Sequence, residues 1–409
     1  MSSIAAKPKY DPCLRPFYIA REQTNLGTGE VNFQTFEKRC GTRRKDLCEP
    51  CSVIWKDDAY FALMTGAKGY QGEITFITLT APGWKTFGKA HTANHTNKKS
   101  GRCACREYHE ANDILIGLPL DRDSFNHRKV IEFNHLAPRL TAITLQKIWR
   151  LLATETQTSV KNVKRPTARV MEWQDRGLLH VHIVVLGKIP ANIVKAAVNG
   201  RNPQDKKRRV TPSIHNGIRW GNQVDVKYAN AKNSDEIKKL SGYVTKVIGY
   251  AVKDVTRGVT SAVPAHNAHR QTLRSHTNEV IKCSSSPFEC AAADLGENPS
   301  ELLIAARRRT NLCRKHYRGK HQLGFTGNVL SLNRKWGTTL GAAKKARQAF
   351  AEKFRSAQNT AKVFCFNTEK ISVSHHFLGR DPKNVKRLLA RLSIARTVRQ
   401  SGEFTPLLT

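Results

Sequence analysis

Three groups of residues in this chain have the types and spacing to do chemistry. The first lies in Arg176-Gly177-Leu178-Leu179-His180-Val181-His182-Ile183-Val184-Val185. The segment reads as a strand, and residues i and i+2 of a strand point the same way. His180 and His182 can therefore grip one metal ion while Val181 packs into the core. Glu172 lies upstream on what reads as the preceding strand, and it can complete the ligand set. Gln174, two residues along on the same face, is the alternative third ligand. Two imidazoles and a carboxylate suit Mg²⁺ or Mn²⁺ and leave positions open for a phosphate. A His-x-His pair alone is more often structural than ligating. Its weight here comes from the groups around it.

The second group is a candidate nucleophile. Gly242-Tyr243-Val244-Thr245-Lys246-Val247-Ile248-Gly249-Tyr250-Ala251-Val252-Lys253 holds two Tyr-x-x-Lys units, seven residues apart. At that spacing both tyrosines fall on nearly one helix face. A free tyrosine has a pKa of about 10. A lysine one turn away, or a metal ion, favours the phenolate. Lys246 and Lys253 are placed to do this. The bland alternative is that both tyrosines line the core side of an amphipathic helix.

The third group is cysteine-rich. Cys40 precedes Cys48-x-x-Cys51, and Cys103-Ala104-Cys105 is followed by His109. Grouped cysteines in a reducing compartment more often bind zinc than form disulfides. Cys48, Cys51, Cys103 and Cys105 are the expected ligands of one structural Zn²⁺, as in a zinc ribbon. Cys40 and His109 could replace one or two of them. Cys13, Cys283, Cys290, Cys313 and Cys365 read as ordinary thiols.

The elements that must position these groups follow from patterning. Residues 73–80 alternate and are β-branched, which predicts a strand ended by Ala81-Pro82-Gly83. Asp57-Asp58-Ala59-Tyr60 reads as a helix start. Leu145, Ile148, Trp149 and Leu152 recur at helical spacing and predict a helix over 139–156. A strand over about 167–174 and the His180 strand are close enough to form an antiparallel hairpin through Arg176-Gly177. Alternation from Asn222 to Tyr228 predicts another strand, and a helix is expected from about Asp235 to Val255. Basic helices are expected over 336–356 and 381–399. Residues 1–35 give no clear element.

The chain of 409 residues carries 69 Lys+Arg against 32 Asp+Glu, a net charge of +37. That excess favours a polyanionic partner, with nucleic acid first because each phosphate contact releases counterions. Lys206-Lys207-Arg208-Arg209 reads as an exposed basic loop for DNA. No apolar run approaches the roughly 20 residues of a membrane span. No signal-like segment opens the chain, and a cytoplasmic location is expected. No Gly-x-x-x-x-Gly-Lys-Ser/Thr loop is present, which argues against a built-in helicase.

Taken in order, the motifs resemble a known family. They are Cys40-Gly41-Thr42-Arg43-Arg44 with Cys48 and Cys51; Phe76-Ile77-Thr78-Leu79-Thr80-Ala81-Pro82; and Cys103-Ala104-Cys105 with His109. Then come Glu172-Trp173-Gln174-Asp175-Arg176-Gly177-Leu178-Leu179-His180-Val181-His182, Trp220-Gly221-Asn222-Gln223-Val224-Asp225-Val226, the tyrosine segment, and Leu323-Gly324-Phe325-Thr326-Gly327. The set resembles the HUH replication initiators of actinobacterial rolling-circle plasmids and integrative elements, over roughly residues 36–345. The resemblance implies an α+β fold: an antiparallel sheet flanked by helices, with metal ligands on a central strand and a tyrosine on a nearby helix. A zinc-ribbon-like module would precede it and a basic, mainly helical region would follow. The expected divisions are 1–35, 36–112 (the zinc module interleaved with strand 73–80), 113–260 (the endonuclease core), 261–345 and 346–409.

The resemblance also implies a reaction. A tyrosine attacks plasmid origin DNA and stays joined to the 5′ phosphate, and the freed 3′ hydroxyl primes a host DNA polymerase behind a host helicase. The family usually shows Tyr-x-x-Lys-Tyr-x-x-Lys. Here Val247-Ile248-Gly249 separates Lys246 from the second tyrosine, so Tyr250 is the preferred nucleophile and Tyr243 the alternative. An HUH rolling-circle transposase and a non-catalytic zinc-ribbon DNA-binding protein are the competing readings.

Overall fold

The computed structural model describes residues 10–25, 27, 31–45, 47–68, 70–93, 103–110, 112–174, 176–200, 211–231, 242, 249, 264–281, 322–358 and 371–379. Strands β1 (Phe17–Asn25) and β2 (Val31–Lys38) come first, then helix α1 (Glu49–Ala67) and strand β3 (Glu73–Leu79). Helices α2 (Trp84–Phe87), α3 (His127–Glu155) and α4 (Val160–Val163) lead to the pair β4 (Thr167–Trp173) and β5 (Leu179–Leu186). Helix α5 (Ala191–Asn199) is followed by β6 (Ile214–His215), β7 (Ile218–Arg219) and β8 (Val224–Asn230). Then come α6 (Pro264–Ser275), α7 (Thr277–Val280), β9 (Leu330–Leu332), α8 (Leu340–Gln358) and β10 (Ile371–Gly379). The chain is a mixed α+β protein with antiparallel sheets. It divides into two compact units, Met1–Trp55 with Ala346–Thr409, and Lys56–Lys345.

The first unit carries a sheet in the order β10-β1-β2, antiparallel throughout. Phe17 pairs with Lys38, so the chain enters β1 and leaves β2 at the same end of the hairpin. This part of the chain had no clear element by patterning, because β2 is exposed along most of its length.

The second unit carries a five-stranded sheet in the order β8-β3-β5-β4-β9, with every neighbouring pair antiparallel. The hairpin expected of β4 and β5 is present, and β5 is the middle strand. Leu179, Val181, Ile183 and Val185 on one face of β5 are fully buried. Each such side chain contributes about 1.5–3 kcal/mol relative to exposure. The opposite face, with Val184 and Leu186, is also buried. Two histidines in a strand covered on both faces are costly unless something binds their ring nitrogens. Strand β8, at the edge, keeps the alternation that its sequence shows.

Helix α3 starts twelve residues before the expected 139–156 and packs against β5. Asn126 caps it, its side chain accepting from the Lys129 N–H at 2.9 Å. Pro138 sits inside the helix, where its missing donor and ring clash cost about 3 kcal/mol. Burial of Val130, Ile131, Phe133 and Ala137 ahead of the proline offsets that cost. The expected stripe of Leu145, Ile148, Trp149 and Leu152 is buried.

Helix α1 also starts early, at Glu49 rather than at Asp57. The first turn is set by the Cys48 N–H to Arg44 and the Ser52 N–H to Cys48, and Cys51, Ile54 and Trp55 are buried. Helix α8 lies close to the expected 336–356 span. Of the expected 235–255 helix, Gly242 and Gly249 are helical. The expected 381–399 helix lies outside the described residues.

Candidate metal centre

The antiparallel register of β4 and β5 sets Glu172 directly opposite His180. His182 stands two residues further along the same face. One ligand atom from each of the three lies within 4.8 Å of the others. Glu172 Oε2 is 2.5 Å from His182 Nε2. On the other side of β5, Thr78 of β3 pairs with His182, and its hydroxyl is 3.3 Å from His182 Nδ1. A hydroxyl can donate or accept, so Thr78 can hold the imidazole with either ring nitrogen protonated.

His180 is the orphan of the group. Its Nε2 is buried with no hydrogen-bond partner among the described residues. Burial, then the neighbouring His182 and Arg176, push its pKa down to about 3, so the ring is neutral near pH 7. A neutral imidazole with a buried, unspent lone pair is what a metal ligand requires. The trio could therefore hold a metal ion.

A buried asparagine holds the turn that feeds this strand. Asn134 on α3 donates to the Gly177 carbonyl at 2.8 Å and to the Leu323 carbonyl at 2.7 Å, and accepts from the Leu179 N–H at 3.0 Å. Gly177 itself has φ +83°, and a Cβ there would lie 2.8 Å from Leu273 of α6. Gly324 has φ +89°, and a Cβ there would lie 2.4 Å from the Ile131 carbonyl. The Leu323-Gly324-Phe325 motif thus docks on α3, and Phe325 meets Trp173 edge-to-face at 5.6 Å. Three separate segments brace the hairpin that carries the ligands.

Gln174, the alternative third ligand, accepts from Arg176 Nε at 3.1 Å instead. Both line a cleft of about 900 Å³ that also includes Thr80, Lys89 and Asn222. Gln174 lies two residues beyond Glu172, just past the end of β4, and Thr80 two residues beyond Thr78, just past the end of β3. The cleft thus opens just beyond the trio. Burial lowers the Arg176 pKa to about 10, which leaves the guanidinium charged at neutral pH.

The cysteines do not gather as expected. Cys48 and Cys51 group with Cys40 and with Cys13, which read as an ordinary thiol. Cys103 and Cys105 group with His109 and His91. The single set of Cys48, Cys51, Cys103 and Cys105 therefore divides between the two units. The reason is topological: the β1–β2 hairpin returns Cys40 to Cys13, a pairing that spacing along the chain cannot reveal. In the first group Cys13 Sγ is 3.7 Å from Cys48 Sγ and 3.5 Å from Cys51 Sγ, and the cysteines are free. A disulfide would need about 2.05 Å. Tetrahedral zinc thiolates place their sulfurs roughly 3.8 Å apart, given Zn–S bonds near 2.3 Å. Backbone N–H groups of Leu14 and Cys40 point at Cys48 and Cys13 sulfurs. Burial pushes the Cys40 thiol up to about 12. At Cys48 burial is outweighed by N–H bonds from Cys51 and Leu14, which bring the thiol down to about 7.

Tyr243, Lys246, Tyr250 and Lys253 lie outside the described residues, as does Lys206–Arg209. Asn134, Thr78, Cys13, His91 and Asp113 were not singled out by the sequence. The place of Thr78 within the Phe76-Ile77-Thr78 motif was the one signal available.

An antiparallel α+β sheet with a His/His/Glu trio on its middle strands and a cleft beside it defines a candidate metal-dependent site. The whole chain carries a more specific signature: residues 5–394 match the RepSA family, described as replication initiator protein, pSAM2, and the chain belongs to that family. It is 24% identical over 355 residues to a replication initiator protein of Streptomyces ambofaciens, covering 79% of this chain and 71% of that relative. No solved structure matches. No helix among the described residues is long and apolar enough to cross a membrane.

Proposed function

We propose that this replication initiator is a metal-dependent single-strand endonuclease and strand transferase of the HUH type. It nicks plasmid origin DNA to start rolling-circle replication. The observation that carries the reading is the convergence of Glu172, His180 and His182 on adjacent strands beside an open cleft.

A divalent cation held by the trio would polarise a non-bridging phosphate oxygen and neutralise charge that develops there. Thr78 orients the His182 ring, and Asn134 keeps the hairpin in register. Arg176 supplies positive charge at the cleft where the strand would lie. A phenolate of Tyr250, or of Tyr243, attacks phosphorus in line. The bond to the 3′ oxygen breaks, and that oxygen takes up a proton to become a 3′ hydroxyl. The 5′ phosphate stays on the tyrosine until a later 3′ hydroxyl displaces it. Lys253 and Lys246 favour the phenolate by their charge. Origin DNA, a host helicase and a host polymerase are the partners of this scheme. Cys13, Cys40, Cys48 and Cys51 hold a structural Zn²⁺ in it.

The test mixes full-length protein, Mn²⁺ and a labelled origin single strand. A protein–DNA adduct that survives SDS is expected. It should disappear when the nucleophilic tyrosine is replaced by Phe, and Tyr250→Phe and Tyr243→Phe assign which one that is. Wild-type protein that binds the origin yet forms no adduct would leave a non-catalytic DNA-binding initiator.

A further inference from the structure

His91, Cys103, Cys105 and His109 form a group that the proposed nicking reaction does not use. Their ligand atoms all lie within 4.8 Å of one another. His91 Nδ1 is 3.1 Å from His109 Nε2, and Cys105 Sγ is 3.1 Å from the same Nε2. Cys103 Sγ is 3.9 Å from His91 Nδ1. Zn–N and Zn–S bonds of about 2.0–2.3 Å in a tetrahedron put ligand atoms roughly 3.3–3.8 Å apart. The observed separations bracket that range.

Hydrogen bonding among the four explains the arrangement less well. His109 Nδ1 is 2.7 Å from Asp113 Oδ2, so that nitrogen donates to the carboxylate, and the neutral ring presents Nε2 as a lone pair. His91 Nδ1 and Cys105 Sγ both face that one lone pair. One lone pair accepts only one well-aligned proton, whereas one cation satisfies all four groups together. Asp113 is itself fixed, accepting the Leu115 N–H at 2.8 Å. A carboxylate behind a ligating imidazole is the usual way a zinc ligand is oriented. His109 and Cys103 are buried although the loop around them has little apolar core.

We infer that His91, Cys103, Cys105 and His109 bind a structural zinc ion, with Asp113 orienting His109, and that this ion fixes one wall of the cleft beside the Glu172–His180–His182 trio. His91 and Ala104 line that cleft together with Gln174 and Arg176. The His91 backbone is anchored to the chain that follows the group, donating to Leu118 at 2.8 Å and accepting from Gly117 at 2.9 Å. The ion would tie the 103–109 turn to this anchor. The zinc assignment is independent of the nicking reaction. The role of the wall rests on the cleft being the path of the DNA strand.

The experiment counts zinc in full-length protein after gel filtration into chelator-treated buffer. Wild type should carry two equivalents, and Cys13→Ser and Cys105→Ser one each. Cobalt substitution of Cys13→Ser should give the visible bands of a tetrahedral site with two thiolates, which guards against loss of metal through misfolding. Asp113→Asn should keep the site but bind zinc about 10–100-fold more weakly. Wild-type zinc content in Cys105→Ser, or no cobalt bands in folded Cys13→Ser, would overturn the site. With the trio left metal-free, Cys105→Ser should bind an origin oligonucleotide at least about 10-fold more weakly, and unchanged binding would remove the cleft-wall role. Wild-type adduct formation reports the nicking reaction separately, so either reading can fail alone.

Discussion

Glu172 Oε2 and His182 Nε2 lie 2.5 Å apart across two neighbouring strands, although the residues are not paired in the ladder. Glu172 pairs with His180, and its side chain leans along the sheet to His182. The carboxylate thus bonds His182 while its backbone stands opposite His180. Glu172→Gln keeps the shape and removes the charge, so it separates ligation from packing. Its adduct formation should fall by more than the ~10–100-fold typical of a lost orienting partner. Binding of the origin strand should be nearly retained. Equal adduct yields for wild type and Glu172→Gln at saturating Mn²⁺ would remove the carboxylate from the site.

Thr78 offers a finer test of the same geometry. Thr78→Val deletes the hydroxyl 3.3 Å from His182 Nδ1 and preserves β-branching. The Mn²⁺ concentration needed for half-maximal nicking should rise by about 10-fold or more. The maximal rate at saturating Mn²⁺ should change less. A lower maximum with an unshifted Mn²⁺ midpoint would point to a contact with DNA rather than with the imidazole.

Asn134 makes three buried hydrogen bonds that tie the hairpin to α3 and to Leu323. Asn134→Ala strands the Leu179 N–H and removes the donor to two carbonyls, all in a buried setting. Each stranded group costs about 1–3 kcal/mol. Urea denaturation should report a loss of about 3 kcal/mol or more. A loss under about 1 kcal/mol would mean that water or backbone movement replaces the side chain.

Gly177→Ala should destabilise the same turn by another route. The positive φ disfavours any side chain by about 1–2 kcal/mol. The new methyl also meets Leu273 at 2.8 Å. Thermal unfolding of Gly177→Ala should show a lower midpoint, and combining it with Leu273→Ala, a buried position, should cost less than the sum of the two single losses because the clash is relieved. Strict additivity would assign the whole Gly177→Ala effect to backbone strain.

His127 and His269 form a buried pair, Nε2 to Nδ1 at 3.1 Å, with Phe125 edge-on to both. Burial, then the His127 charge, pushes the His269 pKa down to about 3, and burial also lowers His127. The unfolded chain holds these protons near pH 6.5, so the folded state binds fewer. Stability from His269 is therefore complete above about pH 6.5 and is lost as pH falls from there toward 3, and His127 adds a loss of the same sign. The slope is at most about 1.4 kcal/mol per pH unit for each ring. Replacing His269 by Gln should flatten the decline in urea-melting stability between pH 6.5 and 4.5. An unchanged slope would place the acid sensitivity elsewhere.

Local patterning was enough to read the strands around Glu172, His180 and Val224, because β-branched and apolar runs bounded by turn residues are written in adjacent positions. It also marked the two histidines as unusual, since nothing else polar interrupts a run destined for the middle of a sheet. Helix starts were less legible. The N-terminal halves of α1 and α3 carry cysteines and a proline, which local propensity reads as loop, while burial against distant partners makes them helical. The metal-ligand partition could not be read along the chain at all. Cys13 joins Cys40 only because β1 and β2 pair, and His91 meets Cys103, Cys105 and His109 only because its backbone pairs with residues 117–118. Sequence by itself determined the residue types, the charge that favours nucleic acid, and the strand that holds two imidazoles on one face. Tertiary structure alone decided which groups converge, because ligand distances depend on long-range register and on buried anchors such as Asn134, which carry no periodic signal.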